Sequence, residues 1–201
     1  MADRKKLLSS KELFDLLRRR TRANADELDG RIERTGVQEL AVLMADSSGF
    51  SRKTQDYGVL QFLAAMTHCY DRLIPMVKKF RGVCVSHNAD NLLAVFPRPA
   101  DAVAAAKAMH GWLAERNKGL DDADQYNICI GIHYGKVLRL RDNVFGDRVN
   151  VAAKVGEDVA GKDETLITRE VHERVRGKFQ CARHRTVRIG GRDIELFKVK
   201  G

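Results

Sequence analysis

Two aspartates lie where apolar, strand-like segments end, and their carboxylates could hold metal ions. Asp46 follows the apolar run 39–45, and Asp90 lies in a polar stretch between the apolar runs 83–85 and 92–96. Taken alone, an aspartate at such a place would be an ordinary turn or cap residue. If these segments are neighbours in one sheet, both carboxylates meet at one end of it. Paired carboxylates at strand ends suit two divalent cations that bridge a triphosphate.

The segment directly after Asp46 could bind phosphate oxygens. It opens a predicted helix with the residues Ser47, Ser48, Gly49 and Phe50. Free backbone N–H groups and the positive end of the helix dipole favour bound anions at the start of a helix. The sequence therefore predicts a phosphate-holding turn beside the first aspartate.

A third group of polar residues lies on a later predicted helix. Asn150 and Lys154 are four residues apart and share one helix face. An amide and a cation on one face can hold a ribose oxygen and a developing phosphate charge. The alternative is an ordinary helix whose small residues serve packing.

Strands and helices must bring these candidate site residues together. The periodicity of the hydrophobic residues predicts the order of those elements along the chain. The order is β-α-β-β-α-β followed by an α-β extension, which is the split βαβ, ferredoxin-like arrangement. The fold class is therefore α+β, with a ferredoxin-like core. The predicted strands are 39–45, 83–85, 92–96, 127–134 and 164–168 with a closing hairpin over 187–199, and the predicted helices are 56–79, 99–113 and 149–159.

Residues 1–36 read as a separate basic helical segment in front of a domain that covers residues 37–201. Ser9 and Ser10 precede a helix with a short apolar face, and the stretch 22–34 is highly charged. One interpretation is a solvated helix that packs on a second copy of the chain. The other is an arm for nucleic acid or a lipid surface, which the interspersed acidic residues disfavour.

Composition limits the class of protein. The chain has 201 residues, 44% hydrophobic and 31% charged, which fits a single globular domain with a core. No apolar run reaches eighteen residues and the first ten residues contain no apolar signal segment, so we expect no membrane span and a cytoplasmic location.

The four cysteines are scattered without a C-x-x-C pair, so they indicate neither a zinc site nor a disulfide framework.

The net charge of +9 would attract a polyanion such as nucleic acid, an anionic membrane or a nucleoside triphosphate. Aromatic residues make up only 6%, and no basic stripe is interleaved with them. A stacking platform for single-stranded nucleic acid is therefore not expected.

Four ordered motifs together resemble the catalytic domain of the class III nucleotide cyclases, over about residues 38–200. The motifs are LMADSSGFS at 43–51, RGV at 81–83 with ADNLLAVF at 89–96, IGIHYG at 130–135, and FGD at 145–147 with VNVAA at 149–153. The resemblance implies that a nucleoside triphosphate is converted to a 3′,5′-cyclic nucleotide and pyrophosphate. It also implies a homodimer whose active sites are built across the interface.

The resemblance assigns roles residue by residue. Asp46 and Asp90 match the two aspartates that hold two divalent cations, Mg²⁺ or Mn²⁺, and the turn 47–50 matches the phosphate-holding turn. Asn150 matches the asparagine that orients the ribose from the other protomer. Lys154 stands where the family usually has an arginine, so it keeps the charge but loses the planar fork. This predicts retained but altered catalysis.

The positions that read the base depart from the family pattern. The usual lysine and aspartate of adenylate cyclases fall at Ser86 and Asn143, and Ala89-Asp90-Asn91 replaces Gly-Asp-Gly. The glutamate and cysteine of guanylate cyclases are absent too. Neutral groups at these positions could read a pyrimidine. They favour a resemblance to the bacterial branch that makes cyclic UMP or cyclic CMP as an antiphage signal.

Three other functions remain open at this point. The first is an adenylate cyclase with a relaxed base pocket. The second is a catalytically inactive pseudo-cyclase that acts as a dimeric nucleotide-binding module, although the presence of both Asp46 and Asp90 argues against it. The third is a nucleic-acid binder of ferredoxin-like fold, which ranks last because the expected sheet-face aromatics are missing.

Overall fold

A computed structural model describes residues 7–88 and 90–201, and within them eight strands form one mixed sheet with helices on both faces. The strands are β1 (Val37–Ser47), β2 (Val83–Asn88), β3 (Asn91–Phe96), β4 (Ile128–Arg139), β5 (Val144–Phe145), β6 (Thr165–Thr168), β7 (Cys181–Ile189) and β8 (Arg192–Val199). The helices are α1 (Ser10–Arg18), α2 (Ala25–Gly36), α3 (Phe50–Tyr57), α4 (Val59–Lys79), α5 (Pro99–Arg116), α6 (Asp147–Lys154) and α7 (Arg169–Val175). A π-helical turn, Val155–Val159, continues α6.

The strand order confirms the predicted ferredoxin-like core. The sheet runs β2-β3-β1-β4-β6-β8-β7, and β5 pairs with β4. Strand β1 lies antiparallel to both β3 and β4 at the centre of the core. The extension adds β6 parallel to β4, and then β8 and β7 as an antiparallel pair. The α+β fold class and the α-β extension expected from the sequence are therefore both present.

Strand β1 is central because both of its faces are apolar. Ala41, Leu43 and Ala45 point into the main core, which α4, α5 and α7 cover. Leu40, Val42 and Met44 point to the other face, where Ala152 of α6 joins them. A strand buried on both faces reads as a continuous apolar run, which is why periodicity alone locates it well.

Several element boundaries differ from the prediction. The predicted helix 56–79 begins afresh at Val59, because Gly58 in a left-handed conformation (φ 87°) ends α3. The predicted helix 149–159 is α-helical only to Lys154 and then widens into the π-helical turn. Strand β7 begins at Cys181, six residues before the predicted hairpin, and the short strand β5 was not predicted.

The N-terminal segment packs on this chain's own sheet. Ser9 caps α1 through a reciprocal capping box with Glu12. Leu13 of α1 and Ile32 of α2 form a small buried cluster with Leu140 at the end of β4. This part of the segment's apolar surface therefore packs within the chain, and the expected contact with a second copy stays a prediction. Residues 1–6 of the predicted segment 1–36 lie outside the described residues.

The state of the cysteines and the character of the helices bear on the expectations drawn from the composition. All four cysteines are free thiols, Cys69 and Cys129 buried and Cys84 and Cys181 half-buried. Across residues 7–88 and 90–201, no helix has the length and apolar character needed to cross a lipid bilayer.

Candidate active site

Asp46 and Asp90 meet at one end of the sheet, as the strand order requires. Asp46 is the last residue but one of β1 and pairs with Cys129 of β4, whereas Asp90 lies in the turn between β2 and β3. Because β3 is the other neighbour of β1, the turn comes to the same sheet end. The hydroxyl of Ser47 donates a hydrogen bond of 2.5 Å to Oδ2 of Asp90 and so links the two segments.

The electrostatics of this sheet end disfavour negative charge. Burial, together with the negative charges of Asp90 and Glu157, raises the pKa of Asp46 from its ordinary value of 3.8 to about 7. Burial also raises the pKa of Glu157, with Asp158 and Asp90 adding to the effect. Without a cation, neighbouring carboxylates therefore repel one another at this place.

The two carboxylates suit a divalent cation whose remaining ligands come from a substrate. Carboxylate oxygens are the ligands that Mg²⁺ and Mn²⁺ prefer, and Mg²⁺ is usually held by one or two carboxylates plus substrate phosphates. Asp46 and Asp90 supply two carboxylates, and their mutual repulsion is relieved by a bound positive charge. Among the described residues, no group of three or more His, Cys, Asp or Glu side chains is arranged to hold a metal by itself.

The turn after Asp46 has the predicted form, with one correction. Gly49 adopts a left-handed conformation (φ 85°) and caps α3, which starts at Phe50. The N–H groups of the first turn of α3 have no partner within the helix and point out of its start. The N–H of Ser48, however, donates to the carbonyl of Asn127 at 2.9 Å. The backbone of Ser48 therefore anchors the turn to the segment before β4 and does not offer a free donor.

Asn150 and Lys154 share one exposed face of α6, as predicted. Within the described part of this protomer, no hydrogen bond or ion pair joins either of them to Asp46 or Asp90. The ammonium of Lys154 instead contacts Oδ2 of Asp158 at 2.8 Å, which raises the pKa of Lys154 and keeps it charged.

The position of α6 is set by two glycines that allow it to lie directly on the sheet. A Cβ at Gly131 of β4 would lie 2.4 Å from the carbonyl oxygen of Ala152 and from the amide nitrogen of Gly156. A Cβ at Gly156 would lie 2.8 Å from the carbonyl oxygen of Met44. The π-helical turn therefore packs backbone to backbone on β1 and β4.

Two acidic residues near the site were missed by the sequence analysis. Glu157 accepts a hydrogen bond of 3.1 Å from the amide of Asn91, the residue after Asp90, and Asp158 pairs with Lys154. The four-residue spacing between Lys154 and Asp158 was a readable signal for an ion pair along a helix. Glu157 had no such signal, because its approach to Asn91 depends on the π-helical turn.

The two predicted base-reading residues lie on different elements, Ser86 on β2 and Asn143 in the turn after β4. Ser86 follows an irregularity in the pairing of β2 with β3 and faces Leu93. Asn143 lies in the turn between β4 and β5, where its side-chain oxygen accepts from the amide of Val144 at 2.8 Å. Ala89, the small residue predicted before the second aspartate, lies outside the described residues.

The comparisons with curated proteins match part of the chain. It is 32% identical over 136 residues to the "Serine/threonine-protein kinase pkn2" of Myxococcus xanthus, and 28% identical over 138 residues to "Putative adenylate cyclase 3" of Rhizobium meliloti (strain 1021). These matches cover 67% and 69% of this chain but only 16% and 23% of the relatives, so the chain spans less than a quarter of either protein. No family model matches.

Solved structures match most of the chain. An "Adenylate/Guanylate Cyclase/Hydrolase" from Silicibacter pomeroyi has a TM-score of 0.73 at 23% identity and covers 81% of this chain and 96% of its own. The adenylyl cyclase CyaB from P. aeruginosa has a TM-score of 0.72 at 18% sequence identity, and the match covers 82% of this chain and 96% of that one. The guanylyl cyclase Cya2 has a TM-score of 0.73 at 19% identity, and the match covers 83% of this chain and 94% of that one. The chain therefore has the fold of a class III nucleotide cyclase catalytic domain. These proteins carry adenylate and guanylate cyclase names, and they give no support to the pyrimidine branch.

Proposed function

We propose that this chain is a class III nucleotidyl cyclase, which converts a nucleoside triphosphate to a 3′,5′-cyclic nucleotide and pyrophosphate. The observation that carries the proposal is the meeting of Asp46 and Asp90 beside the turn that opens α3. A half-buried carboxylate whose pKa is raised to about 7 by its surroundings has no use in holding the fold together. It is the arrangement expected where a cation and phosphates bind.

The roles of the chain's own residues follow from their positions. Asp46 and Asp90 would hold two divalent cations, which when bound lower the pKa of the ribose 3′-hydroxyl and neutralise the triphosphate. The first-turn N–H groups of α3 bind phosphate oxygens. Asn150 orients the ribose so that its 3′-oxygen attacks the α-phosphate in line, and Lys154 stabilises the charge that develops there.

We propose that the active sites are shared in a homodimer. The support is that Asn150 and Lys154 are exposed and make no hydrogen bond or ion pair with the aspartates of their own chain, among the described residues. A partner's α6 can bring these side chains to the aspartates. We also propose that the enzyme acts in the cytoplasm, where its substrates are present.

We propose a pyrimidine base, UTP or CTP, with the product serving as an antiphage signal. The support is the neutral chemistry of Ser86 and Asn143. The oxygen of the Asn143 side chain accepts from the amide of Val144, which leaves the side-chain N–H groups as donors, and amide donors suit the carbonyl oxygens of a pyrimidine. An adenylate cyclase with a relaxed base pocket and an inactive nucleotide-binding module are the competing outcomes.

The experiment is incubation of purified protein with Mn²⁺ and each of ATP, GTP, CTP and UTP separately, with products resolved by mass spectrometry. A cyclic pyrimidine nucleotide is the expected product. Asp46→Ala and Asp90→Ala should abolish it, whereas Asp71→Ala, an exposed aspartate on α4, should leave it unchanged. Cyclic AMP would overturn the base assignment alone. No product from any triphosphate would leave the nucleotide-binding module as the function.

A further inference from the structure

His133 is a polar residue in the middle of β4 that the proposed mechanism does not use. It is fully buried, yet both of its ring nitrogens have partners. Nε2 lies 3.0 Å from Nη1 of Arg148, and Nδ1 lies 2.7 Å from Oγ1 of Thr168. A buried imidazole with two such contacts joins β4 to the start of α6 on one side and to the end of β6 on the other.

The direction of each hydrogen bond in this group is fixed by chemistry. A guanidinium can only donate, so Arg148 donates to Nε2 of His133, and Nε2 must carry the lone pair. The ring proton is then on Nδ1, which donates to the hydroxyl of Thr168. That hydroxyl donates in turn to the carboxylate of Glu170. We call Arg148, His133, Thr168 and Glu170 the His133 network.

The network requires a neutral His133. Burial lowers the pKa of this imidazole, and the neighbouring positive charge of Arg148 lowers it further, although the Glu170 carboxylate opposes them. Burial also acts to raise the pKa of Glu170, but hydrogen bonds, including that from Thr168, lower it overall. The arrangement therefore holds a cation at one end, an anion at the other and a neutral ring between them.

The geometry around Arg148 shows that its side chain is directed to this contact. Arg148 is the second residue of α6 and lies across Gly135 of β4, where a Cβ would be 2.8 Å from the Nε atom of Arg148. Only a residue without a side chain leaves that path open. Asn150 follows two residues later, so a rotation of α6 that breaks the Arg148 contact also moves Asn150.

We propose that the His133 network fixes the rotation of α6, so that Asn150 and Lys154 reach the active site of the partner protomer. Arg148 and His133 are positioning residues, and neither touches the substrate. This inference rests on the proposed function. It assigns the network to the half of each site that α6 contributes, and it leaves the half that contains Asp46 and Asp90 unaffected.

Single variants test the positioning role first. His133→Leu removes the acceptor for Arg148, and we expect kcat to fall about 10²-fold, the size of effect seen when reacting groups are misplaced by about 1 Å. The KM for the triphosphate should change little, because the aspartates and the α3 turn still bind it. His133→Gln restores an oxygen acceptor near the position of Nε2 and should recover part of kcat. His110→Leu is the matched control, since His110 lies on α5 and makes a similar imidazole contact of 3.0 Å with the hydroxyl of Thr165 on β6.

Mixed dimers then locate the defect. In a dimer of His133→Leu with Asp46→Ala, one site combines intact aspartates with an intact α6, so activity should return to about half that of the wild type. A dimer of His133→Leu with Asn150→Ala has no such site, so its activity should not exceed that of the more active of the two single-variant homodimers. Failure of the first pairing to recover activity, or recovery in the second, would overturn the proposal.

A second readout does not depend on catalysis. Amide hydrogen exchange over residues 147–154 should be faster in His133→Leu and restored in His133→Gln, with β1 unchanged. If the wild-type protein makes no cyclic nucleotide, the proposed function fails, and this exchange alone decides the role of the network. Unchanged exchange in α6 would then overturn the positioning role, and faster exchange confined to α6 would support it.

Discussion

At the scale of single residues, Asp46 shows a conflict between stability and chemistry. Its carboxylate is placed beside Asp90 and within the field of Glu157, and burial together with these charges raises its pKa to about 7. A folded protein without a bound cation gains nothing from such a group. The placement becomes favourable only when positive charge is present, which is the condition of a working site.

A first prediction follows from the sign of this shift. An acid whose folded-state pKa is raised destabilises the fold once it ionises, and the effect grows from about pH 4 to about pH 7. In EDTA at pH 8, Asp46→Asn should therefore raise the free energy of unfolding by about 1–3 kcal/mol, allowing for solvent at a partly exposed group. The gain should vanish below about pH 4, where the unfolded carboxyl is also protonated.

Urea denaturation across this pH range measures the effect. Asp71→Asn is the control, because Asp71 is exposed on α4 and should show no comparable gain. A loss of stability in Asp46→Asn at pH 8 would contradict the account of the Asp46 environment.

A second prediction concerns Lys154. Its ion pair with Asp158 is exposed and spaced i to i+4, so it contributes only about 0.3–0.5 kcal/mol and a substrate phosphate can displace it. Lys154→Ala should lower kcat by about 10²-fold, the usual loss when a group that stabilises transition-state charge is removed. Lys154→Arg should keep activity, because a guanidinium carries the same charge with a bidentate fork.

Steady-state rates of cyclic nucleotide formation test this assignment. An unchanged kcat in Lys154→Ala would show that Lys154 does not act on the reacting phosphate. Arg169→Ala, far along the chain and paired with Glu195, gives a matched loss of one surface cation.

The site residues that could be predicted from the sequence differ in kind from those that could not. Asp46 and Asp90 were predictable because Asp46 follows an apolar run and Asp90 lies in the polar stretch between two others, and strand order alone brings these places together. Glu157, His133 and Arg148 were not, because each acts through a contact between elements distant in the chain. No local pattern distinguishes them from ordinary surface or core residues.

At the scale of elements, α6 and the π-helical turn can pack closely on the sheet because two of the residues at the contact are glycines without side chains. The backbones of Gly131 and Gly156 approach each other, and the carbonyl of Met44, more closely than any Cβ would permit. The sequence predicts one continuous helix here. The widened turn could not be foreseen, because it results from this backbone contact and not from helix propensity.

A third prediction tests the seating. Gly131→Ala should lower the free energy of unfolding by about 1–3 kcal/mol, because backbone atoms and not flexible side chains must move. Gly111→Ala, in an open position of α5, should instead stabilise the chain by about 0.5–1 kcal/mol. Chemical denaturation of both variants measures the difference. Equal stabilities would show that α6 is not closely packed on β4.

The N-terminal helices form the second element whose position matters. Leu13 and Ile32 are buried against Leu140, and the amide and hydroxyl of Ser10 donate to Asp142 at 2.8 and 3.0 Å. The segment thus contacts the end of β4 just before Asn143, the proposed base-reading residue. The apolar face was predictable from the sequence, but the surface that it covers was not.

A fourth prediction follows for this contact. Leu13→Ala removes a buried side chain and should weaken the docking of α1 by about 2–5 kcal/mol. Amide exchange should then increase in residues 10–36 while β1 stays protected. Phe14→Ala is the control, because Phe14 is 46% exposed and loses less buried area. Faster exchange throughout the sheet would show that the segment is part of the main core instead.

At the scale of the whole molecule, the proposed chemistry uses two groups of residues that lie on different elements of each protomer. Asp46 lies at the end of β1 and Asp90 in the turn between β2 and β3, whereas Asn150 and Lys154 are exposed on α6. Among the described residues of one chain, no hydrogen bond or ion pair joins Asn150 or Lys154 to the aspartates, and the proposed dimer would bring the two kinds of group together.

A fifth prediction belongs to this scale. Product formed per chain should fall on dilution if the sites are shared as proposed, because a dissociated protomer would then lack the residues that its partner contributes. Rates measured over a dilution series should follow the dimer fraction determined by mass photometry on the same samples. Constant activity per chain in demonstrably monomeric protein would rule out shared sites.

The packing of the N-terminal helices on Leu140 and Asp142 also constrains the order in which the chain can fold during synthesis. About one hundred residues separate α2 from the surface that covers it, and β1 likewise waits for β4. While the ribosome makes the intervening segment, Leu13, Ile32 and one edge of β1 stay exposed. At about 5–20 residues per second, this interval lasts roughly 5–20 seconds. Chaperone dependence of expression is therefore expected to concentrate in this window, before the last strand of the core is made.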